Sequence, residues 1–456
     1  MLKRRIHFDL RLSVKGFLYQ CLLAFCLSGL LCYTSPSDAG VTTIKEPENW
    51  DDLSFELLTV GLGDRIEARY GHTFVRVHNR KTGKDHNINW GMFDFSDPML
   101  PLNFFLGKLR YWVTDEGFGS MIRRYKYFEK RPVYADKLNL TSLQKKHLLA
   151  RINQNLRPEN KYFWYQYFYQ NCSTFPRDYL NEVLGNKLKD RFESEDANID
   201  FRHYVRENLN RPPPISFFLD IVMNGRLETR LSKWVEMFYP PKLRDHLMDF
   251  PAYDDQGQEI PGKKLLDKGT VLVDLPNAPA DSWTVHPWFL AIGAGLSVLL
   301  LLCLNLFGKG RSRRIYPAAI CTGLTGLVWG FFSGVLGTVM SVSWIFSEHL
   351  DLLHNANLWV FWPTDFILIF SPFMLSGLRS GRDTSLSGRR IKSGLKAYLW
   401  LHLLTTATWY LLCLSGIISQ NTSKVMIWIA PVGLLFYLSL LYADYVGQNQ
   451  KTRSAQ

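Results

Sequence analysis

The polar stretch from residue 41 to residue 285 is almost without cysteine. Cys172 stands alone there, and the other six, Cys21, Cys26, Cys32, Cys303, Cys321 and Cys413, lie inside apolar runs. A disulfide framework is therefore excluded for this stretch. It also lacks repeats of fixed period and low-complexity tracts, which leaves a segment large enough for one well-filled core. Acid is the second shortage: 53 lysines and arginines face 41 acidic residues, for a formal charge of +12. An even spread would suggest nucleic acid. Instead the excess sits beside apolar runs, at Lys3, Arg4 and Arg5, at Lys309, Arg311, Arg313 and Arg314, and at Arg379, Arg382, Arg389, Arg390, Lys392 and Lys396. That is the placement of the positive-inside rule, and nucleic acid drops out as a partner.

A helix needs about 20 predominantly apolar residues to cross a bilayer. Five segments after residue 285 qualify: 286–307, 317–346, 358–378, 396–418 and 424–446. Their connecting loops alternate between basic and non-basic, which places the loops at 308–314 and 379–395 in the cytoplasm, residue 285 outside and the tail 447–456 inside. At the other end, Lys3-Arg4-Arg5 precedes an apolar run from Gly16 to Cys32 and the small-x-small pattern of Ser37 and Ala39. Residues 1–39 thus read as a signal peptide or an N-terminal membrane anchor. The resulting organisation is an exported domain at 40–250, a Pro, Gly and Asp-rich linker at 251–285 with a short strand at 270–273, and a five-helix membrane domain at 286–446.

Within the exported domain, Phe74-Val75-Arg76-Val77 and His86-Asn87-Ile88-Asn89-Trp90 read as two strands of a hairpin, with His72 at its open end. Leu143, Leu148, Leu149, Ile152 and Leu156 have helical spacing after Thr141 or Ser142. The aromatic run Tyr162 to Tyr169 reads as a strand buried on both faces. Beyond Cys172, the spacing of Phe175, Tyr179, Leu180, Val183 and Leu184 predicts a helix that starts near Asn171 to Ser173 and stops at Gly185-Asn186. Two or three further helices are expected between Arg202 and Leu247. The fold class is α+β, followed by an all-α membrane domain.

Cys172 therefore stands at a helix start, where unpaired N–H groups stabilise a thiolate and can bind an oxyanion. An unpaired thiol in an oxidising compartment is more readily explained by chemistry than by architecture. A thiol nucleophile needs a proton acceptor that returns the proton to the leaving group. His72, after a glycine at a strand start, has the best context. His78, His86, His147, His203 and His246 read as surface histidines. A third group should orient the imidazole; if the hairpin turns near Thr82, Asn89 is the first candidate and Asp94 the alternative. Asn171, Ser173 and Thr174 flank the thiol as supporting residues, and Arg177-Asp178 reads as a bracing pair. Asn355 and Asn357, with His349 and His354, lie in the outer loop between the second and third spans, where they can position a substrate.

Tyr-Gly-His-Thr-Phe-Val-Arg-Val at 70–77, Asn-Trp-Gly-Met-Phe-Asp-Phe at 89–95 and Asn-Cys-Ser-Thr-x-x-Arg-Asp-x-Leu at 171–180 together resemble the DUF4105 family, described as Lnb-type lipoprotein N-acyltransferases. The resemblance extends to Trp234–Pro240 and, more faintly, to His354–Leu358. Asn-Trp-Gly stands where the family has Asn-Tyr-Gly, and the third catalytic residue is not fixed by the motif. What the resemblance implies is an exported domain of the permuted papain-like group, also called permuted NlpC/P60, in which His precedes Cys. It also implies a bacterial inner membrane location with the catalytic domain on the periplasmic side. The implied activity moves a fatty acyl group from a membrane phospholipid, through a thioester on Cys172, to the α-amine of a diacylglyceryl lipoprotein, with no metal or cofactor. A papain-like hydrolase of cell-wall peptide or lipid ester is the alternative, and a non-catalytic membrane scaffold a second.

Overall fold

A computed structural model describes residues 43–454, apart from 95, 210–212, 279–285, 309–311 and 376–385. The N-terminal segment read as a signal or anchor lies outside the described residues, as does Trp283. The described chain is an N-terminal sheet domain joined to a C-terminal helical region.

Seven antiparallel strands form the main sheet, in the order β11-β5-β1-β2-β3-β4-β6. They are β1 (Leu53–Val60), β2 (His72–Asn79), β3 (Asp85–Met92), β4 (Arg110–Glu116), β5 (Val133–Leu138), β6 (Tyr162–Trp164) and β11 (Leu266–Val273). β2 is the middle strand. Because successive side chains point to opposite faces of a strand, each central strand feeds two cores. Leu57, Val75, Ile88 and Trp90 pack under the helices Ser142–Leu156, Thr174–Val183 and Pro240–Asp249. Leu58, Val60 and Phe74 cover the other face with Met121 and Tyr125. Thr141 caps the first of those helices, and Gln144 completes a reciprocal capping box.

Three expectations need correction. The aromatic run supplies only the three-residue edge strand β6, which is half-exposed, and then turns into a loop closed by a Gln166–Gln170 bridge. Residues 251–273 are not a linker: β9 (Pro251–Tyr253) and β10 (Glu259–Lys264) form a hairpin, and β11 pairs with β5 at the sheet edge. His246 is not a surface residue. It is buried, with Nε2 2.6 Å from Glu236 Oε2, and the other oxygen of that carboxylate accepts from Tyr204.

Among the described residues, four helices are long and apolar enough to cross a membrane: Pro287–Gly308, Tyr316–Phe346, Ser393–Leu414 and Val425–Val446. The segment expected as a continuous span at 358–378 is instead broken, with 3-10 turns at Ala356–Trp359 and Pro363–Phe370 before a short helix Ser371–Leu375; the pair bends by 42°. It still makes a traverse. Gly337 lies against Trp362 and Pro363, Gly330 against Asp365 and Leu368, and Gly323 against Pro372, so the broken segment runs antiparallel along the second span. Helical rise from Gly323 to Gly337 is about 21 Å, most of a hydrocarbon core. The glycines let backbone touch backbone, as small residues do between membrane helices. The tail after Val446 continues the last helix to Ser454.

The loops on one side of the helical region are seated on the sheet domain. Asn355 and Asn357 both donate to the Ile221 carbonyl, at the end of the helix Pro213–Val222. Asn224 donates to the Leu350 and Leu353 carbonyls, and Lys424 pairs with Asp220.

Candidate active site

His72 opens β2, where the turn through Gly71, at φ 82°, delivers the chain into the sheet. In the β2/β3 ladder Phe74 faces Asn89, so His72 lies across from Gly91. A Cβ on Gly91 would come within 2.3 Å of His72 Cε1 and 3.1 Å of Asn89 Oδ1. Glycine at 91 is thus what lets the imidazole lie flat against β3 and reach Asn89. The His72 Nε2 to Asn89 Oδ1 distance is 2.9 Å.

The direction of that hydrogen bond follows from the far end of the amide. Asn89 Nδ2 donates to Glu116 Oε2 at 3.1 Å, and Glu116 is itself held by Arg124 at 2.9 Å. A carboxylate only accepts, so the amide nitrogen must face Glu116 and its oxygen must face the ring. His72 Nε2 then carries the proton, and Nδ1 is left as the acceptor. Asp94 does not compete: its carboxylate accepts from the Ser96 backbone and hydroxyl in an exposed loop.

Cys172 is brought to the same place by a different part of the chain. After β6 the chain turns, and Asn171 Oδ1 accepts from the backbone N–H groups of Ser173 and Thr174 at 2.8 and 3.0 Å. This caps the helix Thr174–Val183, while Asn171 Nδ2 donates to the Tyr167 and Phe238 carbonyls. Cys172 is therefore held just ahead of the first turn, buried, with its neighbours fixed on both sides. Ser173 and Thr73 hydroxyls meet at 2.9 Å, which ties the residue after the thiol to the residue after the histidine. The Thr73 and Cys172 backbone N–H groups and the Ser173 hydroxyl all favour charge on the sulfur.

Burial nevertheless dominates the electrostatics. It pushes the Cys172 thiol up to about 11, against the pull of those donors and of Arg131. It pushes the His72 imidazole down to about 3, opposed by the Asn89 hydrogen bond and assisted by Arg131 and Arg124. The helix start alone suggests a thiolate; desolvation instead disfavours the charged form of both the thiol and the imidazole. Tyr111 and Tyr165, stacked at 4.3 Å, lie within electrostatic reach of Cys172, and Phe93 stacks on Tyr111 at 4.8 Å.

The remaining candidates have other duties. Arg177 pairs with Asp178, donates to the Trp234 carbonyl and lies over the Trp234 ring, bracing the cysteine helix from behind. Asn355 and Asn357 are spent on Ile221 and buried in the seam between domain and membrane helices, away from solvent. Three contributors have no assigned part in the sequence. Gly91 and Thr73 lay inside quoted motifs but without an assigned part, and Glu116 belongs to no local pattern. Only the pairing of β3 with β4, Asn87 opposite Glu116, brings that carboxylate to Asn89.

Residues 44–207 match the family model of the Lnb N-terminal periplasmic domain, a stretch that contains His72, Asn89 and Cys172. The match supports an Lnb-type family and, with the apolar helices, a membrane protein with a periplasmic domain. Comparison with curated proteins and with solved structures returns no match.

Proposed function

We propose that the chain is a lipoprotein N-acyltransferase of the inner membrane, built on a permuted papain-like site with Cys172 as nucleophile, His72 as general base and acid, and Asn89 as the residue that orients the imidazole. The observation that carries this reading is the Asn89-held imidazole of His72, whose next residue, Thr73, meets the Ser173 hydroxyl that follows the buried Cys172. The matched periplasmic domain and the seating of this domain on membrane helices supply the context for lipid-anchored substrates.

In the first half-reaction the Cys172 sulfur bonds to the carbonyl carbon of a phospholipid ester as its proton passes to His72 Nδ1. With neutral resting partners, the proton moves as the C–S bond forms rather than before it. The Cys172 and Thr73 backbone N–H groups are the donors for the tetrahedral oxyanion. Collapse breaks the ester C–O bond, and His72 protonates the departing lysophospholipid. In the second half the α-amine of a diacylglyceryl cysteine attacks the thioester. His72 takes the ammonium proton and returns it to the sulfur as the amide forms. Exclusion of water protects the thioester, which a buried thiol provides.

The deciding experiment expresses wild type and Cys172→Ala in a host lacking its own N-acyltransferase and reads a lipoprotein amino terminus by mass spectrometry. N-acylation with wild type and none with the folded variant is expected. Full acylation by Cys172→Ala removes the cysteine mechanism. Release of free fatty acid without amine acylation converts the reading to a hydrolase.

A further inference from the structure

The short helix Leu100–Phe105 follows the loop that leaves β3 and ends against the second span. Three carbonyls at its end, Phe104's also accepting from the Gly107 N–H, are met by the chain that emerges from the bilayer. Ser347 Oγ donates to the Phe105 carbonyl at 3.1 Å, Glu348 N donates to the Leu106 carbonyl at 2.9 Å, and His349 Nε2 lies 2.7 Å from the Phe104 carbonyl. Gly107, at φ 70°, permits the closeness: a Cβ there would stand 3.1 Å from His349 N. The helix is thus bolted to the end of Tyr316–Phe346, whose last residues Trp344, Ile345 and Phe346 are exposed and apolar.

At that level Met99, Leu102 and Phe104 are also exposed, at 46, 43 and 44%. No charge interrupts the segment between Asp97 and Lys108. Apolar side chains clustered beside a span's lipid-facing end are continuous with a surface that already belongs to the bilayer, and lipid is the occupant that continuity selects. We infer that Met99, Leu102 and Phe104 insert into the interfacial layer of the leaflet on the domain's side. The helix is then a membrane-contact surface of the sheet domain. It sits at the end of β3 that carries Asn89 and Gly91, so the bilayer surface reaches the end of the sheet where His72 lies. The inference is independent of the chemistry proposed above.

The test places a photo-crosslinking benzoyl-phenylalanine at Leu102, and separately at Met99, in the full chain reconstituted in nanodiscs with labelled phospholipid. Leu301, exposed on the first span, is the positive control; Lys81, in the β2/β3 turn at the far end of the strands, is the negative one. Lipid adducts at 102 and 99 approaching those at 301, and several-fold above those at 81, are expected. Adducts at 102 and 99 no higher than at 81, with 301 labelled, overturn the inference. Because no turnover is measured, its failure is separable from failure of the acyltransferase reading.

Discussion

Two histidines in this molecule meet a side-chain oxygen at the same distance, with opposite consequences. His72 in the sheet domain faces the Asn89 amide at 2.9 Å, and His402 in the membrane region faces the Asp365 carboxylate at 2.9 Å. Asn89 offers one oxygen to one ring nitrogen and has its own orientation fixed by Glu116, so the imidazole is aimed but not charged. Asp365 accepts from Tyr398 at 2.6 Å, from the Trp362 backbone at 3.1 Å and from Ser333, while neither ring nitrogen of His402 beside it is in hydrogen-bonding geometry. Through those partners it joins the second span, the broken span and the span Ser393–Leu414. His402 is fully enclosed among Trp362, Tyr398 and Tyr437. Hydrogen bonding, more than the burial of the ring, separates the two: Asn89 holds one nitrogen of His72 and leaves the other to accept, whereas neither ring nitrogen of His402 has a hydrogen-bond partner among the described residues.

Replacing each histidine or its partner tests that separation. His72→Ala removes the base proposed for Cys172 and is expected to lower acyl transfer on the order of 10^3-fold, read as initial rate of lipoprotein N-acylation, with the thermal midpoint little changed. Asp365→Ala removes the acceptor of the Tyr398 and Ser333 hydroxyls and of the Trp362 N–H in the bilayer interior. Each buried donor left unsatisfied costs about 1–3 kcal/mol, so the expected result is loss of folded protein in a detergent-challenge assay. The comparison fails if Asp365→Ala leaves stability intact and stops turnover instead.

The third expectation concerns acid. His72 is held well below its ordinary value in the folded protein, so folding excludes a proton that the unfolded chain accepts below about 6.5. Its contribution to stability is present above that pH and is lost as pH falls toward about 3. His72→Gln keeps a hydrogen-bonding side chain but has no proton to gain. The variant should lose less thermal stability than wild type between pH 6.5 and 4.5, by a margin smaller than the Asp365 effect. Equal losses would mean that the imidazole is already solvated and that its low affinity for protons plays no part.

The hairpin, the capped helix after Thr141 and the helix that follows Cys172 were legible because apolar alternation or helical spacing is local. Cys172 and His72 were singled out by scarcity and context. The choice between Asn89 and Asp94 was not legible, since it depends on which residue of β3 lies within reach of His72 once the strands pair. Of β11 only 270–273 was read as a strand, because most of its residues face solvent at a sheet edge, and an edge strand needs no apolar alternation. The broken span was hidden for the opposite reason: hydropathy reports apolar content, and a 3-10 segment packed on glycines is as apolar as a helix. Glu116 and Asp365 reach their partners only through pairing of distant segments, which no spacing rule encodes.

Asn89→Asp brings the two histidines closest to each other, because it gives His72 the kind of partner His402 has. A carboxylate at 89 favours imidazolium, so the base is protonated over a wider pH range and the acidic limb of kcat/KM moves to higher pH. It also places like charge against Glu116, which loosens the orientation of the new side chain. The expected outcome is a modest loss of rate at pH 7 that is partly recovered at pH 8 to 9. Asn89→Ala, which loses orientation without adding charge, should lower the rate with no displacement of that limb. If both variants show the same pH profile, Asn89 acts only by holding the ring in place, and the neutrality of its amide has no part in setting the acidic limb.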